Sequence, residues 1–233
     1  MRIIAGTARG RRLKAPRGLD TRPMMDRAKE ALFSALGDVV DGVTVLDLYA
    51  GSGALGLEAL SRGAAAATFV EWGREARAAL AENLHTVGLK GEVVAAKVED
   101  YLARPGPKFG LAFVDPPYTL PLPSVEQVLG LLMHRLATGA VVGVHRRAGS
   151  GVPVPPPGLV LEWQRRYGDT QVSEFIGETK HTGGQMDYQL ASQAAALADG
   201  VKLWELIPEG TQMYLVRRLG VARATTPIAT HRV

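Results

Sequence analysis

Asp115-Pro116-Pro117-Tyr118 bring a carboxylate, a stiffened carbonyl and an aromatic face together within four residues. An exocyclic amine on a nucleic-acid base is a poor nucleophile, because its lone pair is delocalised into the ring. Two acceptors held against its two hydrogens favour a more tetrahedral nitrogen and take up the developing positive charge. The Asp115 carboxylate can be one acceptor. The backbone carbonyl of Pro116 can be the other, in a loop that two prolines stiffen. Tyr118 offers a flat face for a base taken out of its stack. A methyl group passing in line to such a nitrogen is helped mostly by positioning, without a metal or a covalent intermediate.

Upstream, Leu46 to Gly56 reads LDLYAGSGALG, and Gly51, Gly53 and Gly56 match G-x-G-x-x-G. Small residues there let the chain turn tightly and let a ligand approach the backbone. Glu71, 20 residues after Gly51, can accept hydrogen bonds from both hydroxyls of a ribose. These features fit a nicotinamide dinucleotide as well as S-adenosylmethionine. Two others favour the second. Asp47, just ahead of the glycines, can neutralise a bound cation or fix the loop, which suits a sulfonium amino acid and not a pyrophosphate. Val98-Glu99-Asp100 can read an adenine edge. The competing role for Asp47 and Asp100 is helix capping.

The elements that position these residues follow from periodicity. Strands are predicted over Val43–Asp47, Thr68–Glu71, Glu92–Ala96, Leu111–Val114 and Ala140–Val144. Helices are predicted over Ala54–Ser61, Glu75–Val87, Glu99–Ala103 and Val125–Leu136, the last capped by Ser124 and stopped at Gly139. Leu159–Tyr167 and Gln171–Ile176 then read as a hairpin around Gly168-Asp169-Thr170. This predicts an α/β fold with a Rossmann-like, seven-stranded sheet and helices on both faces. Ligands of such a sheet sit outside the carboxyl ends of its strands, which brings Asp115 beside the glycine loop. Ahead of this core, Arg2–Ala5 and Arg11–Lys14 are predicted to pair as a small β-hairpin around Thr7–Gly10. Asp26–Val40 has the spacing of an amphipathic helix. Behind it, Met186–Ala198 reads as a helix, and Val201–Leu206 and Gln212–Arg218 as strands.

The 233 residues are 46% hydrophobic and 21% charged, which fits one α/β core and argues against wholesale disorder. There is no cysteine. That removes disulfides, thiolate zinc sites and the nucleophile that methylation at carbon 5 of a pyrimidine usually needs. The histidines at 85, 134, 145, 181 and 231 lack metal spacing and read as ordinary core or surface residues, so no metal is expected. No apolar run reaches the ~18 residues of a membrane helix. Met1 to Arg12 has no apolar segment of the signal-peptide kind. No membrane association and a cytoplasmic location are the expectations. Residues 1–30 hold nine Lys/Arg and three Asp/Glu, so the rest of a chain of net charge +4 sums to −2. A basic arm on a near-neutral body predicts a polyanion contact in one place.

Several stretches stand colinear over about residues 1–176. They are Arg2 to Gly6, Arg9 to Leu13, Thr21-Arg22-Pro23, Asp26 to Phe33, Leu46 to Gly63, Phe69-Val70-Glu71, Asp115 to Tyr118, and Tyr167 to Thr170. In them the chain resembles the bacterial 16S rRNA guanine-N2 methyltransferases of the RsmD type. The resemblance implies a class I methyltransferase domain over 41–177. An RNA-binding hairpin and helix over 1–40 precede it, and a C-terminal extension over 178–233 follows. It implies S-adenosylmethionine as cofactor and the N2 amine of a guanine in 16S rRNA as target. The partner would be a partly assembled small ribosomal subunit, and the enzyme a monomer. Carried onto this sequence, Gly51, Ser52, Gly53 and Glu71 hold the cofactor. Asp47, Tyr49, Ala50, Glu99 and Asp100 line the same place, and Arg22 lies near it. Asp115, Pro116 and Tyr118 hold the guanine, while Arg9, Arg11, Arg12 and Lys14 meet phosphates. Met24 and Met25 stand where the family usually has threonines, and 177–233 has no counterpart in it. The same chemistry would serve adenine N6 or cytosine N4. A nicotinamide-dependent oxidoreductase would leave Asp115–Tyr118 without a role, and a non-catalytic RNA-binding assembly factor would not need Asp115.

Overall fold

The computed structural model describes residues 1–16, 26–147, 149–167 and 211–218. Five parallel strands form its centre: β1 (Thr44–Leu48), β2 (Ala66–Val70), β3 (Glu92–Val94), β4 (Phe109–Val114) and β5 (Leu136–Arg147). They lie in the order β3-β2-β1-β4-β5. The helices are α1 (Asp26–Leu36) ahead of the sheet, then α2 (Ala54–Ser61), α3 (Arg74–Val87), α4 (Val98–Leu102) and α5 (Leu122–Leu132) between strands.

Successive strand residues enter two different cores. Val45, Phe69, Leu111 and Phe113 cluster with Phe33 of α1, Leu57 of α2 and Leu80 of α3. Leu46, Val70, Ala112 and Val114 cluster with Leu102 of α4 and with Val125 and Leu129 of α5. A strand's side chains alternate between the two faces of its sheet. When helices cover both faces, both sets must be apolar, which is why these strands read as unbroken apolar runs. Strand order reverses at β1, flanked by β2 and β4, and this leaves a crevice at the carboxyl ends. Backbone bonds join the chain there: Ala50 N to Val70 O at 3.2 Å, Glu71 N to Val94 O at 3.1 Å, and Asp115 N to Leu48 O at 3.4 Å.

Several boundaries differ from the sequence expectation. The helix expected over Asp26–Val40 is α-helical only to Leu36 and closes as a 3₁₀ turn, Gly37–Val40. Helix α5 starts at Leu122, with Pro121 as its N-cap and Pro123 in its first turn, rather than after Ser124. Proline is at ease there because first-turn amides have no intrahelical acceptor. A 3₁₀ turn, Met133–Arg135, then runs straight into β5. Gly139, the expected helix stop, instead lies within that strand at φ 74°, where the register with β4 shifts.

Beyond β5, β6 (Leu159–Tyr167) pairs antiparallel with β7 (Thr211–Arg218), which in turn pairs antiparallel with β5 over Val141–Arg147. β7 comes from the stretch the sequence sets apart as a C-terminal extension, so residue 177 does not bound the sheet. The Gly168–Thr170 turn signal is local and favours a sequence neighbour, whereas ladder bonds require only an edge. Gln171–Ile176, the expected partner of β6, lies outside the described residues. So do Arg22, Met24, Met25, Met186–Ala198 and Val201–Leu206.

The N-terminal arm folds back through a single antiparallel bridge, Arg2 with Arg12. Ile3 N donates to Arg11 O at 2.9 Å and Gly10 N to Ile3 O at 2.8 Å. Leu13 N adds a bond to Met1 O at 3.1 Å, while the amides of Ile4, Ala5 and Thr7 leave the ladder to dock on α2. Ile4 N and Ala5 N donate to the Glu58 carboxylate at 2.8 and 3.0 Å, and Thr7 N to Ser61 O at 2.7 Å. Glu58 is fully buried and also meets Lys29 Nζ at 2.9 Å and Arg62 Nε at 2.8 Å. Burial pushes its carboxyl up, but the Lys29 charge and these donors outweigh it and hold the group below its ordinary value. Gly6, at φ 81°, lies so close to α2 that a Cβ would fall 1.7 Å from Ser61 O.

Candidate active site

The three glycines of the loop do different work. Gly51 and Gly53 have left-handed backbone, at φ 56° and 83°. A Cβ on Gly53 would strike Leu80 at 2.4 Å, and one on Gly56 would strike Phe69 at 2.3 Å, so these two seat α2 against its neighbours. A Cβ on Gly51 would meet nothing closer than Tyr49 O at 3.9 Å, which leaves the loop's outer side open. Tyr49 takes φ 59° without being glycine, a strained conformation of the kind found at functional loops. Its hydroxyl donates to Glu99 Oε1 at 3.3 Å, which brings the start of α4 beside the loop. Burial, with the Glu99 charge adding to it, pushes the Tyr49 phenol up.

Asp47 is 1% exposed, and its Oδ2 accepts the Gly56 amide at 2.9 Å. The N-cap of α2 is Gly53, which has no side chain to offer, so Asp47 satisfies a first-turn amide in its place. Of the two roles open to Asp47, loop fixing is visible directly. Burial raises its carboxyl well above the ordinary value; the Gly56 amide opposes this, and the charges of Asp115 and Glu71 add to it. Glu71 accepts Gly51 N at 2.9 Å and Gly73 N at 2.6 Å. Both oxygens keep a lone pair for other donors. Glu71 and Asp115 thus give the crevice a negative field that suits a cation, with Asp47 buried beneath the loop.

Ala50 and Ser52 are buried within the loop, and Asp100 is exposed on the first turn of α4. Two residues here carry no sequence expectation. Trp72, directly after Glu71, is 68% exposed, and Lys97 Nζ lies over its ring, 5.8 Å from the centroid. An aromatic immediately following that acid is the signal that could have found it. Asn83, buried on α3, donates to Ser52 O at 2.9 Å and to Lys14 O at 3.0 Å, and accepts Lys14 N at 2.7 Å. It ties the basic arm to the glycine loop, and nothing in local spacing announces it.

At the end of β4, Asp115 is half-buried, Pro116 is buried, and Tyr118 is exposed. Asp115 Oδ1 lies 2.6 Å from Nδ1 of His145, a buried residue of β5. The Tyr118 and His145 rings are edge-on, with centroids 6.0 Å apart. His145 reads as ordinary in the sequence because its partner stands 30 residues away. The β4–β5 register, Val114 opposite Val144, is what places the next residue of each strand together. On the arm, Arg9, Arg11, Arg12 and Lys14 are all exposed. Arg11 donates to Thr86 O at 2.8 Å, and Lys14 pairs with Glu82 at 2.6 Å.

The family model described as Conserved hypothetical protein 95 matches residues 1–176. Ribosomal RNA small subunit methyltransferase D of Escherichia coli (strain K12) is 39% identical over 171 residues, which cover 72% of this chain and 85% of that protein. The chain belongs to this family, the RsmD-type methyltransferases. The putative rRNA methyltransferase YlbH of Bacillus subtilis (strain 168) is 36% identical over 187 residues, or 75% of this chain and 98% of that one. A solved structure, the putative methyltransferase yhhF from Escherichia coli, superposes with a TM-score of 0.67 at 31% identity, covering 94% of this chain and 98% of that one. The family match takes in the arm, the glycine loop, Glu71, Asp115–Tyr118 and His145, and ends ahead of β7. Among the described residues no helix is long and apolar enough to cross a membrane, and no cluster of His, Asp and Glu is arranged to hold a metal.

Proposed function

We propose that the protein transfers a methyl group from S-adenosylmethionine to the N2 amine of a guanine in 16S rRNA, within a partly assembled small ribosomal subunit. The placement of Asp115–Tyr118 beside the glycine loop, in a crevice lined by the carboxylates of Glu71 and Asp115, supports this best. The cofactor supplies a methyl group on a positively charged sulfur, and the negative crevice with its open Gly51 face fits that charge better than it fits a pyrophosphate. The Gly51-Ser52-Gly53 backbone cradles the cofactor, and Asp47 holds that loop in place. Glu71 accepts from the ribose hydroxyls, with Trp72 against the adenine. Tyr49, Ala50, Glu99, Asp100 and Arg22 complete the cofactor's surroundings. Asp115 and the Pro116 carbonyl accept the two hydrogens of the guanine amine, and Tyr118 stacks on the base. Arg9, Arg11, Arg12 and Lys14 meet RNA phosphates from an arm that acts as a small hairpin.

The complete sheet in this proposal is the seven-stranded class I arrangement, which the pairing of β7 with both β5 and β6 supports. The enzyme is a cytoplasmic monomer. Incubating it with radiolabelled S-adenosylmethionine and small subunits lacking the modification should put label into N2-methylguanosine, and Asp115→Ala should abolish it. Label in N6-methyladenosine or N4-methylcytidine would keep the chemistry and replace the substrate. No label on subunits, naked rRNA or DNA, despite cofactor binding, would favour a non-catalytic assembly factor.

A further inference from the structure

We propose that His145 is a positioning residue for methyl transfer, locking the Asp115 carboxylate so that its second oxygen faces the substrate amine. This rests on the role proposed above for Asp115. A carboxylate on the strand-end loop of β4 has two free torsions, and an acceptor that swings by an ångström loses much of its effect on a reacting nitrogen. His145 removes that freedom. Its Nδ1 lies 2.6 Å from Oδ1, a short, charge-assisted separation.

Nδ1 carries the proton, because two lone pairs at that distance would repel. The neutral ring then has a bare lone pair at Nε2, which is buried and has no partner. A doubly protonated ring would put an orphaned N–H there, a costlier defect. Since Nε2 is closed off from solvent, the imidazole does not touch the substrate and acts only through Asp115. Arg146, the next residue of β5, donates to Leu120 O at 3.1 Å and Ser150 Oγ at 3.1 Å. Consecutive residues of one strand therefore hold both ends of the Asp115–Leu120 loop.

The test uses the full-length protein and three variants. Asparagine places an amide nitrogen near the position of Nδ1, whereas phenylalanine fills the space without a donor. In single-turnover methyl transfer at saturating S-adenosylmethionine, His145→Phe should slow the step by about 10²-fold. His145→Asn should recover to within about tenfold of the wild-type rate. Affinity for S-adenosylhomocysteine should stay within about twofold in both variants. Nitrogen-15 NMR of labelled histidine should show the proton on Nδ1 and a shift on Asp115→Ala. A wild-type rate for His145→Phe while Asp115→Ala is dead would overturn the role of His145 and leave that of Asp115 standing. A fully active Asp115→Ala would remove both. An Asn variant as slow as the Phe variant, or a proton found on Nε2, would also overturn the proposal, the latter without any activity measurement.

Discussion

Asp47 has to accept the Gly56 amide from within the core, and burial pushes its carboxyl well above the ordinary value. A raised value means the proton stays on at a pH where a free aspartate has lost it. A cation in the crevice favours the ionised form, so binding S-adenosylmethionine should release a proton. The sign follows: affinity rises as pH climbs through the raised value and is lost below it. Calorimetry at several pH values, in buffers of different ionisation heat, would count the protons released. Asp47→Asn can still accept from Gly56 through its amide oxygen while losing the charge. Its cofactor affinity should fall, and the pH slope should flatten. Its melting temperature in the absence of cofactor should hold, since a neutral amide replaces a carboxyl that keeps its proton there. A pH-independent affinity in the wild type would show that Asp47 does not sense the ligand. The position of Asp47 was legible, because an acid before a glycine loop is a local pattern. Its partner, the third residue of α2, became visible only with the turn built. His145 was illegible for a stronger reason: its meaning comes from the β4–β5 register, which no local spacing encodes.

Helix α2 joins the glycine loop, the sheet and the N-terminal arm. Its amino end takes Asp47, one face packs under β1 and β2, and Glu58 and Ser61 receive the N-terminal arm. Gly6 makes that docking close. Alanine there would place a Cβ 1.7 Å from Ser61 O and force a left-handed φ on a non-glycine residue. The backbone strain alone costs about 2 kcal/mol, and relief of the clash would lift the arm from α2. Gly6→Ala should therefore lower the melting temperature by at least roughly 4–8 °C. It should also increase hydrogen exchange at Ile4, Ala5 and Thr7 more than at β4 amides. Equal protection in both proteins would mean that the arm does not depend on this contact. The limits of α2 were legible because Gly53 and Gly63 mark both ends of a short apolar run. The arm was only half legible. Its turn could be read, but bonds to a helix 50 residues on compete with its own ladder. At the far edge of the sheet the strand itself was legible, Gln212–Arg218 expected against Thr211–Arg218 found, but its pairing was not, since a turn signal names a neighbour in sequence.

At the scale of the whole molecule, charge is separated: the arm is basic, the crevice acidic and the remaining body near neutral. On the proposed roles of the arm and Tyr118, RNA would be steered to the arm and repelled from the crevice until a base is presented on Tyr118 with its charged backbone outside. Affinity should then fall steeply with salt, each phosphate contact contributing about 0.7–0.9 to the log–log slope. The four basic residues should not contribute equally. Arg9 and Arg12 are exposed and reach outward. Lys14 must leave Glu82, and Arg11 must leave Thr86 O, before either meets a phosphate. Arg9→Ala with Arg12→Ala should flatten the slope by about two contacts, while Lys14→Ala should change it by less than one. Binding isotherms for small subunits or a 16S fragment between about 50 and 200 mM salt would measure this. If the Lys14 variant lost as much slope as the double variant, its pair with Glu82 would have to open on RNA binding. Asn83, which grips Lys14 and the Ser52 carbonyl together, would then pass that movement to the cofactor loop.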